Sequence, residues 1–209
     1  MTKVKMCGMR RLEDIGIVNE IKPDYIGFIL SKSKRQVSVA EAHTLAAAAN
    51  AEIKKVGIFV NRSIEYAADA ALQIPLDIIQ LHGDETQMYV KLLKEKLAEH
   101  NVSIEIWKAV GIKDKNDIKK IYEYEVDGIL LDSKVEEGFG GTGKTFDWDM
   151  IKQIQKDKRI ILAGGLNKEN VRKAIEVAHP YAVDVSSGIE KDGFKDRELC
   201  INFMKEVEV

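Results

Sequence analysis

Cysteine is scarce: Cys7 and Cys200 are the only two among 209 residues. With no secretory signal beside them, that argues against a disulfide framework. The opening decapeptide, MTKVKMCGMR, holds no apolar stretch of signal-peptide length. Nowhere does an apolar run approach the roughly 20 residues of a membrane span. Neither sign of charge dominates. Lys and Arg number 32, Asp and Glu 34, and the formal net charge is −2. There is no basic tract to favour nucleic acid and no acidic tail. His43, His82, His100 and His179 are dispersed without an H-x-x-x-H pair, and C-x-x-C is absent, so no dedicated metal site is expected. No linker or low-complexity tract interrupts the chain. These absences predict a cytoplasmic, single-domain protein over residues 1–209, with no membrane or nucleic-acid partner.

What is present is ordinary in bulk, 45% hydrophobic and 32% charged, but regular in pattern. Runs rich in Val, Ile and Leu recur at Lys3–Cys7, Tyr25–Leu30, Ile53–Val60, Asp77–His82, Ile104–Val110, Gly128–Asp132, Arg159–Ala163 and Ala182–Val185. Helical spacing fills the intervals: Arg11–Glu20, Val39–Ala49, Ile64–Leu72, Thr86–Leu97, Lys115–Tyr124, Asp149–Gln155, Lys168–Val177 and Arg197–Val207. Asn167 is the expected cap of the seventh. Parallel strands need such crossovers. Eight βα units with no long insertion predict an α/β fold, a closed (β/α)8 TIM barrel, with an open doubly wound sheet as the alternative.

The most conspicuous motif misleads. Gly138–Thr145 satisfies G-x-x-x-x-G-K-T, the phosphate-cradling P-loop pattern. A P-loop joins a strand directly to a helix. Here the strand ends at Asp132, and the helix is expected only after Asp147, with Phe146 packing on Ile151. The following strand ends in Gly164-Gly165 and offers no Asp for magnesium. A closing lid over a barrel mouth fits this context better than a P-loop-type nucleotide hydrolase.

Polar and small residues collect at the carboxyl ends of the runs, which share one rim in a barrel. Cys7 ends the first run, Arg35 follows the second, His82 ends the fourth, Lys108 lies near the end of the fifth and Asp132 ends the sixth. Gly164-Gly165 follow the seventh, and Ser186-Ser187-Gly188 follow the eighth. Small-residue loops after strands seven and eight suit a phosphate; the bland alternative is tight turns with capping serines. Cys7 and Asp132 are the candidate acid–base pair. Alternation puts Lys3, Lys5 and Cys7 on one face, and an ammonium below Cys7 would enlarge its thiolate fraction. Asp184 points inward on the last strand, beside the first. Arg35 offers a fork suited to a carboxylate. Cys200, in ELCINFM, reads as a small buried hydrophobe.

KMCGMR, YIGFIL, KSKRQVS, KKVGIFVN, IIQLHGDE, WKAV, LLDSKVEEGFGGTGKTFDW, IILAGGLNKENV and YAVDVSSGIE together resemble the successive motifs of the phosphoribosylanthranilate isomerase family, from residue 3 to about 190. The resemblance implies a (β/α)8 barrel of tryptophan biosynthesis that carries out an Amadori rearrangement without a metal or organic cofactor. It implies Cys7 as general base, Asp132 as general acid, and Arg35 on the anthranilate carboxylate. Gly165, Ser186, Ser187 and Gly188 would hold the phosphate. The partner is then a small phosphorylated substrate, and the protein a monomer or homodimer. Two features depart from the family pattern. Arg10 stands where threonine is usual, and the second loop lacks an aromatic-proline step and is one residue shorter. A non-catalytic barrel binding a phosphorylated metabolite is the remaining alternative.

Overall fold

Eight apolar runs become eight parallel strands. The computed structural model describes residues 1–112, 117–133, 148, 151, 154 and 158–208. The strands are β1 (Lys3–Cys7), β2 (Tyr25–Ile29), β3 (Lys54–Phe59), β4 (Ile78–Leu81), β5 (Glu105–Ile112), β6 (Gly128–Ser133), β7 (Ile160–Leu162) and β8 (Ala182–Val185). They pair in chain order, and β8 returns to β1 to close the barrel. Each lies within its predicted run except β5 and β6, which continue to Ile112 and Ser133. The expected lid Gly138–Thr145, the capping Asp147 with its Phe146 contact, and most of the predicted helix Asp149–Gln155 lie outside the described residues.

Side-chain alternation splits the apolar residues into two cores. Val4, Met6, Ile26, Phe28, Ile79, Leu81, Leu131, Leu162 and Val183 face outward and pack against the helices. Cys7, Tyr25, Val56, Ile58, Ile78, Trp107, Leu130, Ile161 and Ala182 fill the barrel interior. Each fully buried Val, Leu or Ile contributes about 1.5–3 kcal/mol. The barrel is therefore a packed core, with Lys5, Gln80 and Lys108 buried within its strands as polar exceptions.

The helices are α1 (Leu12–Ile21), α2 (Val39–Ala48), α3 (Ile64–Gln73), α4 (Gln87–Glu99), α5 (Val171–Ala178) and α6 (Arg197–Val207). Their starts are written locally. Ser38 accepts from the Glu41 amide while the Glu41 carboxylate accepts from the Ser38 amide, a capping box before α2. Ser63, Thr86 and Asp196 cap α3, α4 and α6 by accepting from the Tyr66, Tyr89 and Leu199 amides, without the reciprocal bond.

Two helix expectations need correction. The segment expected as an α-helix over Lys115–Tyr124 is a 3₁₀ helix, Asp117–Glu123, whose buried residues Ile118 and Ile121 are three apart. That is the spacing a 3₁₀ helix brings into line. α5 starts at Val171, not Lys168. Asn167 Oδ1 accepts from the Glu169 amide, and Asn170 Oδ1 accepts from the Asn167 amide, both at 2.9 Å. These side chains hold the local amides in turns instead of a helical first turn.

At the end where strands begin, one device repeats. Asp24 accepts from the Val4 amide at 2.9 Å, Asp77 from the Lys55 amide at 2.8 Å and Asp127 from the Ile106 amide at 2.8 Å. Each carboxylate precedes an even-numbered strand and pins the odd-numbered strand before it.

Candidate active site

β1 carries Cys7 to the rim. Its thiol lies against Gly27 of β2, where an added Cβ would sit 2.9 Å from the sulfur, so the absence of a side chain there makes room for it. One layer below, on the same face, Lys5 is fully buried and donates to Asp184 Oδ1 of β8 at 2.9 Å. This pair spans the closure between first and last strands. Burial alone would lower the Lys5 pKa, but Asp184 and Cys7 hold it above the ordinary lysine value. For Cys7 the balance tips the other way. Burial pushes the thiol up, and the pull of Lys5 and Lys195 only partly offsets it. The expectation that Lys5 enlarges the thiolate fraction is right in sign for the pair, but desolvation outweighs it.

β6 carries Asp132 to the rim on the face of Leu130. His82, immediately after β4, brings Nε2 to 3.4 Å from Asp132 Oδ2. Behind it, Gln80 Nε2 lies 2.9 Å from His82 Nδ1. With the amide donating to Nδ1, the imidazole presents an Nε2–H toward Asp132. Gln80 Oε1 is buried and has no hydrogen-bond partner among the described residues. Lys108 belongs elsewhere. It is buried mid-strand and donates to the Gly83 carbonyl at 2.6 Å, with Glu85 at 3.4 Å, bracing the loop after β4.

Arg35 folds its stem over Gly8, whose hypothetical Cβ would meet Arg35 Cδ at 2.7 Å and whose φ of +88° suits glycine. Its guanidinium does not stand free. Nε and Nη2 donate to Glu190 Oε1 and Oε2 at 2.7 and 2.6 Å. Glu190 also accepts from buried Lys195 at 2.8 Å, and Lys195 donates to the Ser186 carbonyl at 3.0 Å. Burial would raise the Glu190 pKa, but the two cations hold it below the usual carboxylate range. Glu190 and Lys195 lie on a two-stranded hairpin, β9 (Glu190–Lys191) and β10 (Phe194–Lys195), after β8. Arg10 ties this hairpin to the loop of Arg35, donating to the Lys34 carbonyl at 2.9 Å and to the Gly193 carbonyl.

The two small-residue loops meet. Gly164 and Gly165 have φ of +90° and +67°, which turns the chain sharply after β7. A Cβ on Gly188 would collide with the Leu166 carbonyl oxygen, so the loops pack backbone to backbone. Ser187 opens a 3₁₀ turn, Ser187–Ile189, and is exposed. Ser186 turns the other way, its hydroxyl donating to the Cys7 carbonyl at 3.0 Å. That bond gives it a role in fixing β1.

Apart from Lys108, the predicted residues lie at the carboxyl-end rim, but the partners of Arg35 were not foreseen. A signal existed. Asp192-Gly193, at φ of 55° and 79°, is a two-residue hairpin turn, and D-G is a strong local mark of one. Among the described residues, no three His, Cys, Asp or Glu side chains converge as a metal site would require.

Fold and rim together define a (β/α)8-barrel protein of the kind that keeps its chemistry at the carboxyl ends of its strands. The sequence profile of the N-(5′-phosphoribosyl)anthranilate (PRA) isomerase family matches residues 4–206. The N-(5′-phosphoribosyl)anthranilate isomerase of Thermoanaerobacter sp. (strain X514) is 47% identical over 207 residues, 99% of this chain and 98% of that one. The phosphoribosyl anthranilate isomerase crystal structure from Thermotoga maritima superposes with a TM-score of 0.87 at 40% identity, covering 100% and 99% of the two chains. A phosphoribosyl anthranilate isomerase in complex with reduced 1-(o-carboxyphenylamino)-1-deoxyribulose 5-phosphate gives 0.83 at 37% identity, covering 100% and 99%. The chain belongs to the phosphoribosylanthranilate isomerase family, and it is an isomerase.

Proposed function

We propose that the protein converts N-(5-phosphoribosyl)anthranilate to 1-(2-carboxyphenylamino)-1-deoxyribulose 5-phosphate in tryptophan biosynthesis. The observation that carries this reading is the rim itself. A buried thiol on β1 and a carboxylate on β6 emerge on the inner face of one barrel end, between a guanidinium and two interlocked glycine–serine loops. A family member bound to the reduced product supports a ligand of this class.

Asp132, protonated, donates to the furanose ring oxygen. The ring C–O bond breaks and the nitrogen lone pair forms a C=N bond, giving an iminium. The iminium acidifies the adjacent sugar C–H. Cys7, as thiolate, takes that proton, and the electron pair moves into the new C=C of an enolamine. Tautomerisation then gives the ketone. His82, on Asp132, orients the acid. Burial favours the neutral Cys7 thiol at rest, so the reactive form is a minor one that Lys5 and Lys195 make accessible. Gly164, Gly165, Ser187 and Gly188 grip the phosphate through backbone amides and the Ser187 hydroxyl, with Ser186 bracing β1 beside them. This grip positions the sugar. No step calls for a metal or organic cofactor.

The test uses Cys7→Ala and Asp132→Asn on freshly generated substrate. Each loses about 100- to 10,000-fold in kcat, the usual worth of a general acid or base. Near-native turnover by either variant removes that residue from its role.

A further inference from the structure

The guanidinium of Arg35 is only half used. Its five N–H donors include two forks, a side fork of Nε and Nη2 and an end fork of Nη1 and Nη2. Glu190 takes the side fork, Nε and Nη2, at 2.7 and 2.6 Å, and the end fork is left without a hydrogen bond among the described residues. The Arg35 side chain is 25% exposed and Glu190 only 8%, so the arginine is the more accessible partner of the pair.

Glu190 is itself immobilised. Lys195, fully buried in its side chain, holds Oε1 at 2.8 Å and is anchored to the Ser186 carbonyl at 3.0 Å. The hairpin bearing both is clamped to the loop of Arg35 by Arg10, whose guanidinium also stacks 4.6 Å from the Phe194 ring centre. The structure has therefore built a rigid seat for one edge of Arg35.

We propose that Glu190 is a positioning residue that fixes Arg35 so that its open fork meets the aryl carboxylate of the substrate. The inference rests on the reading of Arg35 as the carboxylate-binding group. Glu190 need not leave when substrate arrives, because a side fork and an end fork can hold two carboxylates at once. Glu190 acts on substrate selection through Arg35 and has no part in the proton transfers.

The test compares N-(5-phosphoribosyl)anthranilate with N-(5-phosphoribosyl)aniline, prepared by condensing aniline with ribose 5-phosphate, which lacks the carboxylate. Glu190→Gln, nearly isosteric, is expected to lower the anthranilate-to-aniline ratio of kcat/KM by about tenfold, the scale of a lost charge-assisted hydrogen bond. The loss is expected in KM rather than kcat. Arg35→Ala should abolish the preference, and Glu190→Gln/Arg35→Ala should be no worse than Arg35→Ala. If Arg35→Ala removes the preference and Glu190→Gln leaves it intact, this inference fails while the reading of Arg35 stands. If Arg35→Ala does not change the ratio, the reading of Arg35 fails and the inference with it. A tighter KM for the anthranilate substrate in Glu190→Gln would make Glu190 a competitor, not a positioner, and would also overturn the proposal. Glu190→Asp, which keeps the charge and withdraws it by one methylene, carries the same comparison should the glutamine variant fold poorly.

Discussion

The two ends of the barrel use the same residue type to opposite purpose. Where strands begin, Asp24, Asp77 and Asp127 each accept one backbone amide from the neighbouring strand, a role complete within the backbone. Where strands end, Asp132 faces a histidine, and Glu190 is shared between two cations with donor capacity to spare on Arg35. Asp184, lower in the same interior, is tied to Lys5, itself beneath Cys7. A carboxylate satisfied by strand backbone supports the fold. One held among side chains instead sets the charge and orientation of the groups that meet a ligand.

The pair between these ends should respond most. Lys5→Met leaves Asp184 without its buried cation, and breaking one side of such a pair costs about 3–5 kcal/mol. Urea titration reads that loss. The same variant should slow alkylation of Cys7 under native conditions, because the ammonium no longer favours the thiolate. Full stability in Lys5→Met would mean that the pair serves the rim alone and contributes nothing to the fold.

The opening end should show the reverse signature. Asp77→Ala is expected to lose about 1.5–3 kcal/mol in urea titration, the range for a hydrogen bond to a charged group. Its kcat/KM, measured well below the unfolding transition, should stay within about twofold, since the side chain lies a strand length from Cys7. A kinetic loss larger than the stability loss would erase the contrast between the ends.

The smallest effect is a displacement in pH. Burial raises the Cys7 pKa, so its thiolate appears later on a rising pH scale than that of an ordinary thiol near about 8.5. The native alkylation rate should therefore still be climbing where a free thiol levels off, and Lys5→Met should move the midpoint higher again. Cys200, fully buried with its thiol pushed up to about 12, should stay unreactive until the chain unfolds. A Cys7 midpoint below the ordinary value would mean that the cations outweigh burial.

Much of this was legible in the residues. Strand positions follow from apolar runs, and the two cores follow from alternation, because a closed parallel barrel is buried on both faces. Lys5 beneath Cys7 and Asp184 facing the first strand follow from the same two-residue period. The Arg35–Glu190 pair was hidden because its members are 155 residues apart and no periodicity connects them. The desolvation of Cys7 was hidden for a different reason. Sequence names the neighbours of a thiol but not how much water they exclude. The late start of α5 escaped because either Asn167 or Asn170 suits a cap, and only the folded loop decides which amides they capture.

The junction of β8 with β1 also has a meaning in time. A ribosome delivers Cys7 well before Asp184, Glu190 and Lys195. Until the last strand docks and the hairpin closes over it, the thiol lacks the charges that set its behaviour in the finished barrel. A chain cut short before residue 184 would carry Cys7 without that setting. The junction thus keeps the thiol's finished environment from forming before the eighth strand has been made.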